Sequence, residues 1–232
     1  RGRTADLVKA AFTPWLMLMV LPSAVMAFRS KMPAVRLELS ESLMANAQSQ
    51  LREGTMDFAI TPLPASSAPQ EFHCEPLLEY ETAYMVRRGH PLAHSTSLHQ
   101  LLEQDWVMSY TPESFDALFD EVFLRHGVRL PRQRIIQAHS FGMLQALVEF
   151  AEMCTCCPQP IAALPQFASR LQPLALRESC RPVQLNIVTR RNSILSAAAH
   201  AFIDTLVRTL RQQARSSRPE DRQIYDRVRL LI

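Results

Sequence analysis

The chain has 232 residues, of which 47% are hydrophobic and 20% charged, and a formal net charge of +3. This composition excludes disorder as the main state, and the length allows one large domain or two smaller lobes without disulfide or metal staples. The small positive charge is carried almost entirely by arginine and gathers in the last third, which does not amount to a nucleic-acid surface.

The longest apolar run, residues 15–28, is interrupted by Pro22 and Ser23, so it falls short of a membrane span, and no export signal precedes it. Five cysteines without an even framework read as reduced thiols of a cytoplasmic protein with no membrane partner. Arg1-Gly2-Arg3 run straight into a strand pattern, as expected for a piece of a longer chain.

Residues 5–12 read as a buried strand. Thr13 and Pro14 then supply a cap and a first-turn proline for a helix over 15–30, which Pro33 closes off. Val35, Leu37 and Leu39 alternate with polar residues as a half-buried strand, residues 43–53 form a helix stopped by Gly54, and 57–60 are a short inner strand. This βαβαβ order predicts a parallel sheet covered on both faces.

Residues 61–70 are a turn-rich loop at the carboxyl end of that strand. A long strand-like stretch over 72–88 is expected to leave a first lobe at 75–79. In the second lobe, 98–103 read as a short helix, 106–110 as a strand, 114–126 as a helix stopped by Gly127, and 134–138 as a strand. Residues 137–158 follow as a strand end, a polar corner, a helix with Met143, Leu144, Leu147, Val148 and Phe150 on its buried face, and a strand closed by Pro158. A helix over 161–170 contains a proline, strands over 171–177 and 183–189 return, and the chain crosses back near 177–181. Residues 194–215 form a helix with the stripe Leu195, Ala198, Phe202, Leu206 and Leu210, and 216–232 are a charged tail with a possible amphipathic helix.

Catalytic signatures are missing: no G-x-S-x-G, H-E-x-x-H, G-x-x-x-x-G-K-[ST] or G-x-G-x-x-G occurs. Cys154, Cys156 and Cys157 lie in a strand-like run without C-x-x-C spacing, so they read as small buried hydrophobes, with a redox or metal role as the alternative. Alternation sends Cys154 and Cys156 to one face and Cys157 to the other. His90, His94, His99, His126 and His200 fall in turns or on polar faces and are expected to be solvated.

Four hydroxyl-bearing corners follow strands: Thr13-Pro14-Trp15, Thr61-Pro62, Ser109-Tyr110-Thr111 and His139-Ser140-Phe141. Each is either a plain helix cap or one of several donors converging on a small organic anion. The corner at 139–142 is the first choice for a ligand, because Ser140 starts a helix whose first amides are left to accept an anion.

The pieces LPSAVMAFRSKMPAVRLELSES, LREGTMDFAI and EPLLEYETAYMVRRGHPLA, with VEFAEMCTCCP and NIVTRRN further on, resemble the effector-binding region of LysR-type transcriptional regulators over nearly the whole chain. The resemblance implies an α/β fold of two Rossmann-like lobes with a hinge, type 2 periplasmic-binding-protein-like. Lobe I would be 1–77 and 179–215, lobe II 78–178, and 216–232 a C-terminal tail. It implies a small organic acid effector between the lobes, with Thr13, Pro14, Trp15, Thr61, Pro62, His139, Ser140 and Phe141 at the site; Ser109 and Thr111 join them from the corner pattern. It implies no cofactor, no metal and no catalysis. It also implies a homodimer or homotetramer, paired through residues 17–28 and 115–124, that meets promoter DNA only through an N-terminal winged helix-turn-helix outside this chain. A solute-binding protein of a transporter is the alternative with the same architecture. One departure stands out: where the family has glycines in G-x-G-I-x-x-L-P, this chain has Ala151 and Met153, followed by Cys156-Cys157.

Overall fold

The structure, a computed structural model, describes residues 7–41, 44–62 and 69–232. The expected strand start at 5–6, the helix start at 43 and most of the 61–70 loop lie outside the described residues. The chain begins β1 (Leu7–Phe12), α1 (Pro14–Met19), α2 (Leu21–Lys31), β2 (Arg36–Glu41), α3 (Met44–Glu53), β3 (Phe58–Pro62) and β4 (Phe72–Tyr80). It continues β5 (Thr82–Arg87), β6 (Trp106–Met108), α4 (Pro112–Val122), β7 (Ile135–Gln137), α5 (Phe141–Phe150), β8 (Thr155–Pro158), α6 (Pro165–Ala168) and β9 (Leu171–Pro173). It ends β10 (Val183–Arg190), α7 (Ala197–Ala214), α8 (Pro219–Tyr225) and β11 (Val228–Leu230).

Two compact units emerge: Arg1–Glu79 with Gln184–Arg222 and Arg229–Ile232, and Tyr80–Val183 with Gln223–Val228. The first is built on a six-stranded mixed sheet of order β11-β4-β10-β3-β1-β2. Its centre is parallel, β1 pairing with both β2 and β3, while β10 runs antiparallel to β3. Side-chain alternation along β1 and β3 supplies two buried faces. On one face Ala11 and Ala59 meet Ala47 and Leu51 of α3. On the other, Phe12 and Phe58 pack edge-on at 6.0 Å, and Phe28 of α2 and Phe202 of α7 close over them.

Several elements differ from the sequence reading for identifiable reasons. The single helix over 15–30 is two, α1 and α2, broken at Val20, because Pro22 has no N–H to give to the turn before it. The helix over 161–170 is likewise split, into a 3-10 turn over Gln159–Ala163 and α6, with Pro165 opening the second piece. The strand over 72–88 is broken at Glu81 into β4 and β5. Residues 216–232 carry α8, and also β11, which joins the sheet beside β4.

In the second unit β8-β5-β9 form one sheet and β6-β7 another. A parallel bridge between Trp106 and Cys154 links β6 to the chain leading into β8. The core gathers around Trp106, with Tyr84 edge-on at 6.1 Å and Phe123 at 4.9 Å. On α5 only Leu144 and Val148 are fully buried; Met143 and Phe150 point outward, Phe150 at 79% exposure. The helix buries an i, i+4 pair, narrower than the stripe read from the sequence. His90, expected in solvent, is buried: its Nδ1 accepts from the Leu92 N–H at 3.0 Å and its Nε2 lies 3.0 Å from the Glu152 carbonyl. Both nitrogens close a turn, which leaves this histidine a structural part.

Candidate functional site

In the first unit the carboxyl ends of β1 and β3 come out side by side. The Thr13 N–H donates to the Ile60 carbonyl at 3.0 Å, extending the parallel ladder one residue beyond β1. Thr13, Pro14 and Trp15 are thereby set next to Thr61 and Pro62. Thr13 occupies the N-cap position of α1 with extended backbone, yet its side chain makes no capping hydrogen bond. Thr61 is 1% exposed and its Oγ1 has no hydrogen-bond partner among the described residues. An unpaired buried hydroxyl costs about 1–3 kcal/mol, so it is a poor structural element and a good reserved contact.

Sequence reasoning missed a third contributor. Asn186 of β10 is paired directly with Thr61 in the antiparallel register and is fully buried, and Gln184 Nε2 donates to its Oδ1 at 2.8 Å. Directly opposed residues share a face of the sheet, so the amide and the hydroxyl stand together. The signal was present in VQLNIVTR, where Gln184 and Asn186 take alternate places in a strand otherwise rich in apolar residues.

In the second unit β6 and β7 are parallel, and the Ala138 N–H donating to the Met108 carbonyl at 2.9 Å carries the ladder past their ends. Ser109 and His139 leave from neighbouring positions there. Gln137 Nε2 ties the two corners, donating to the Tyr110 carbonyl at 2.8 Å. Thr111 serves as a cap: its N–H donates to Ser114 Oγ at 2.9 Å and its hydroxyl lies 3.3 Å from the same oxygen. Ser140 caps α5, accepting from the Met143 N–H at 3.2 Å, while remaining exposed with its own proton to give. His139 is exposed, and Phe141 is half-buried, edge-on to Phe167 at 5.2 Å. The space a Cβ would take on Gly142 is open.

The left-handed backbone that the family's glycines would favour is found at Glu152, φ 56°, between Ala151 and Met153. Its side chain pairs with Arg87 Nη2, which with the hydrogen bond of its carbonyl to His90 holds the turn. No group of three or more metal-ligating side chains occurs among the described residues. Cys154 and Cys157 are buried, and Cys154 and Cys156 pack on one cluster while Cys157 turns to Met85.

Parallel strands delivering polar corners at their carboxyl ends, in each of two α/β units, define a ligand-binding protein of the periplasmic-binding type. Residues 1–211 match the family described as LysR substrate binding domain, and the chain belongs to that family. Its fold is the type 2 periplasmic-binding-protein-like one. Among curated proteins it is similar to the HTH-type transcriptional regulator GalR of Pseudomonas putida, 26% identical over 198 residues, covering 84% of this chain and 49% of that protein. The chain spans about half the length of the curated relatives it matches. Among solved structures it is similar to the effector binding domain of QuiR in complex with shikimate, with a TM-score of 0.71 at 16% identity over 88% of this chain and 97% of that one. The BenM effector binding domain with benzoate superposes with a TM-score of 0.66 at 18% identity over 94% and 97%.

Proposed function

We propose that this chain senses a small organic acid, with a carboxylate as the recognised group, and that it controls DNA binding and transcription in a longer LysR-type regulator. The observation that carries the reading is the buried hydroxyl of Thr61, unpartnered among the described residues, beside Thr13, whose side chain caps nothing, and opposite Asn186. The two threonine hydroxyls offer donors in a water-poor place, where a carboxylate would accept them strongly. In the second unit Ser140 and the first turn of α5 supply a further donor set, with Ser109, His139 and Phe141 around it. Thr111, bound up in its cap, holds its loop in place. Shikimate and benzoate, the ligands of the two similar structures, are both ring carboxylates, which supports that class here.

DNA is met through an N-terminal helix-turn-helix module, as the regulator relatives support. The same relatives favour the regulator over a transporter's solute-binding protein. Dimer formation through α1–α2 of one copy and α4 of the other is supported by Leu18 and Met26, apolar side chains left exposed on α1 and α2, Met26 at 76%. The protein works in the cytoplasm and turns nothing over.

A thermal-shift screen of ring and aliphatic carboxylates tests the reading. An acid at a hundred times its dissociation constant adds about 2.7 kcal/mol to the stability of the chain. Wild type responding to at least one acid, and Thr61→Val responding to none, is the expected result. An unchanged response in Thr61→Val removes the site, and turnover of any acid by the chain removes the regulator reading.

A further inference from the structure

Cys156 and Cys180 stand apart from the other thiols. Their Sγ atoms are 3.7 Å from each other although the residues are 24 positions apart in sequence. Cys156 lies in β8, paired with Tyr84 of β5. Cys180 lies in the irregular stretch between β9 and β10, by which the chain leaves the second unit. The two differ in access. Cys180 lines a cavity of about 400 Å³ together with Thr82, Tyr84, Glu178 and Ser179, and Cys156 is not among the residues of its wall. Thr82 contributes a buried Oγ1 that faces both thiols. Tyr84 donates its phenolic proton to the Val122 carbonyl at 2.8 Å and has its oxygen 3.4 Å from Cys180 Sγ.

We propose that Cys156 and Cys180 are a modification site, a dithiol that hydroperoxides convert to a reversible disulfide, with Cys180 attacking and Cys156 resolving. In the first step the Cys180 sulfur attacks one oxygen of ROOH and the O–O bond breaks. The departing RO⁻ takes up the thiol proton to become ROH, and Cys180 becomes a sulfenic acid. In the second step the Cys156 sulfur attacks Cys180 Sγ, the S–O bond breaks, and the hydroxyl leaves with the Cys156 proton as water. Two electrons pass from the thiol pair to the peroxide, and a dithiol reductant reverses the change.

The surroundings favour this order of roles. The hydrogen bond between the two sulfurs holds the Cys180 thiol below its usual range against the opposing effect of burial, and the same contact pushes Cys156 up. Burial alone raises Cys154 and Cys157, each to about 12, which leaves them poor nucleophiles. Closing the S–S distance to about 2.05 Å asks for movement, and Cys180 is on the irregular side of the pair, where the backbone is free of a sheet ladder. The bond would fasten β8 to the segment leaving the second unit.

The test is treatment of the chain with a few equivalents of hydrogen peroxide, removal of the excess with catalase, and thiol counting after denaturation. The count is expected to fall by two from the five cysteines and to return to five with dithiothreitol. Fragmentation mass spectrometry of the oxidised chain should find Cys156 linked to Cys180. Cys156→Ser should retain a sulfenic acid at Cys180, trapped by dimedone, and Cys180→Ser should keep its remaining thiols under the same dose. Circular dichroism confirms that each variant is folded, and Cys156→Ala or Cys180→Ala replaces one that is not. A full count of five thiols after peroxide, a link between other cysteines, or dimedone trapped first at Cys156 overturns the proposal.

Discussion

Thr61 of β3 stands directly opposite Asn186 of β10 in an antiparallel pair, both side chains buried and the hydroxyl without a partner among the described residues. Valine matches threonine in shape and removes the unpaired group. Thr61→Val should therefore make the ligand-free chain more stable than wild type by about 1–3 kcal/mol, since the cost of an unpaired buried hydroxyl disappears. Affinity for the acid should fall at least tenfold, a loss of about 1.4 kcal/mol. Urea unfolding and calorimetric titration measure the two effects separately. A variant that is destabilised and still binds would mean the hydroxyl has a structural partner.

Glu178 gives the second unit an acid-sensitive clamp. Its side chain is 8% exposed, and its carboxylate accepts from Ser97 Oγ at 2.8 Å, the Leu98 N–H at 3.1 Å and Arg177 Nε at 3.2 Å. Burial favours the protonated form, but these donors outweigh it and hold the carboxyl below its usual value of 4.5. A folded-state value below the unfolded one means the contribution is complete above about pH 4.5 and is lost as pH falls through the folded value. Glu178→Gln should lose about 1–3 kcal/mol near neutrality, toward the low end because the amide still accepts. It should also show a flatter decline on acidification, seen in urea midpoints measured from neutral pH downward.

The parallel centre of the first unit was legible because Val35, Leu37 and Leu39 alternate with polar residues, β1 and β3 are short apolar runs, and Gly54 marks the end of α3. The turns at Thr13, Thr61 and Ser140 were legible because each hydroxyl-bearing residue follows a short apolar run. Asn186 was not, because its meaning depends on a strand pairing made 125 residues away, across from Thr61. The closeness of Cys156 and Cys180 likewise comes from tertiary structure, one residue in a strand and the other in an irregular segment. His90 was misread because a histidine beside Gly89 and Pro91 looks like a solvent turn until the Glu152 carbonyl arrives to meet it.

Phe202 is the aromatic on which the helix face of the first unit converges. Fully buried on α7, it lies 5.0 Å from Phe28, 6.1 Å from Phe58 and 6.4 Å from Phe12, ring centre to ring centre. Phe202→Ala empties a space bounded by two strands and a helix, which cannot collapse without shifting the sheet. A loss of about 3–5 kcal/mol is expected. In a chain of this size that lowers the melting temperature by about 6–20 °C. Phe202→Leu should recover most of it, and calorimetry distinguishes the two. A loss under about 1 kcal/mol for the alanine variant would mean the surrounding rings close the gap.

Glu152 takes a left-handed backbone, φ 56°, at a turn whose closing hydrogen bond belongs to its carbonyl. Holding a side chain there costs about 1–2 kcal/mol, which glycine avoids, while glycine adds about 0.5–1 kcal/mol of unfolded-state entropy. Glu152→Gly keeps the contact with His90, which is a main-chain contact, and gives up the surface pairing with Arg87, a kind of contact that contributes little. The variant should therefore be between neutral and about 1 kcal/mol more stable than wild type. Glu152→Asn should fall close to wild type, because asparagine tolerates this backbone region. Glu152→Val should be clearly destabilised, since a β-branched side chain crowds its own carbonyl there. Urea midpoints for the three variants, ordered glycine, asparagine, valine, check the argument. A glycine variant weaker than wild type by more than about 1 kcal/mol would show that the Arg87 pairing, and not the backbone, fixes the turn.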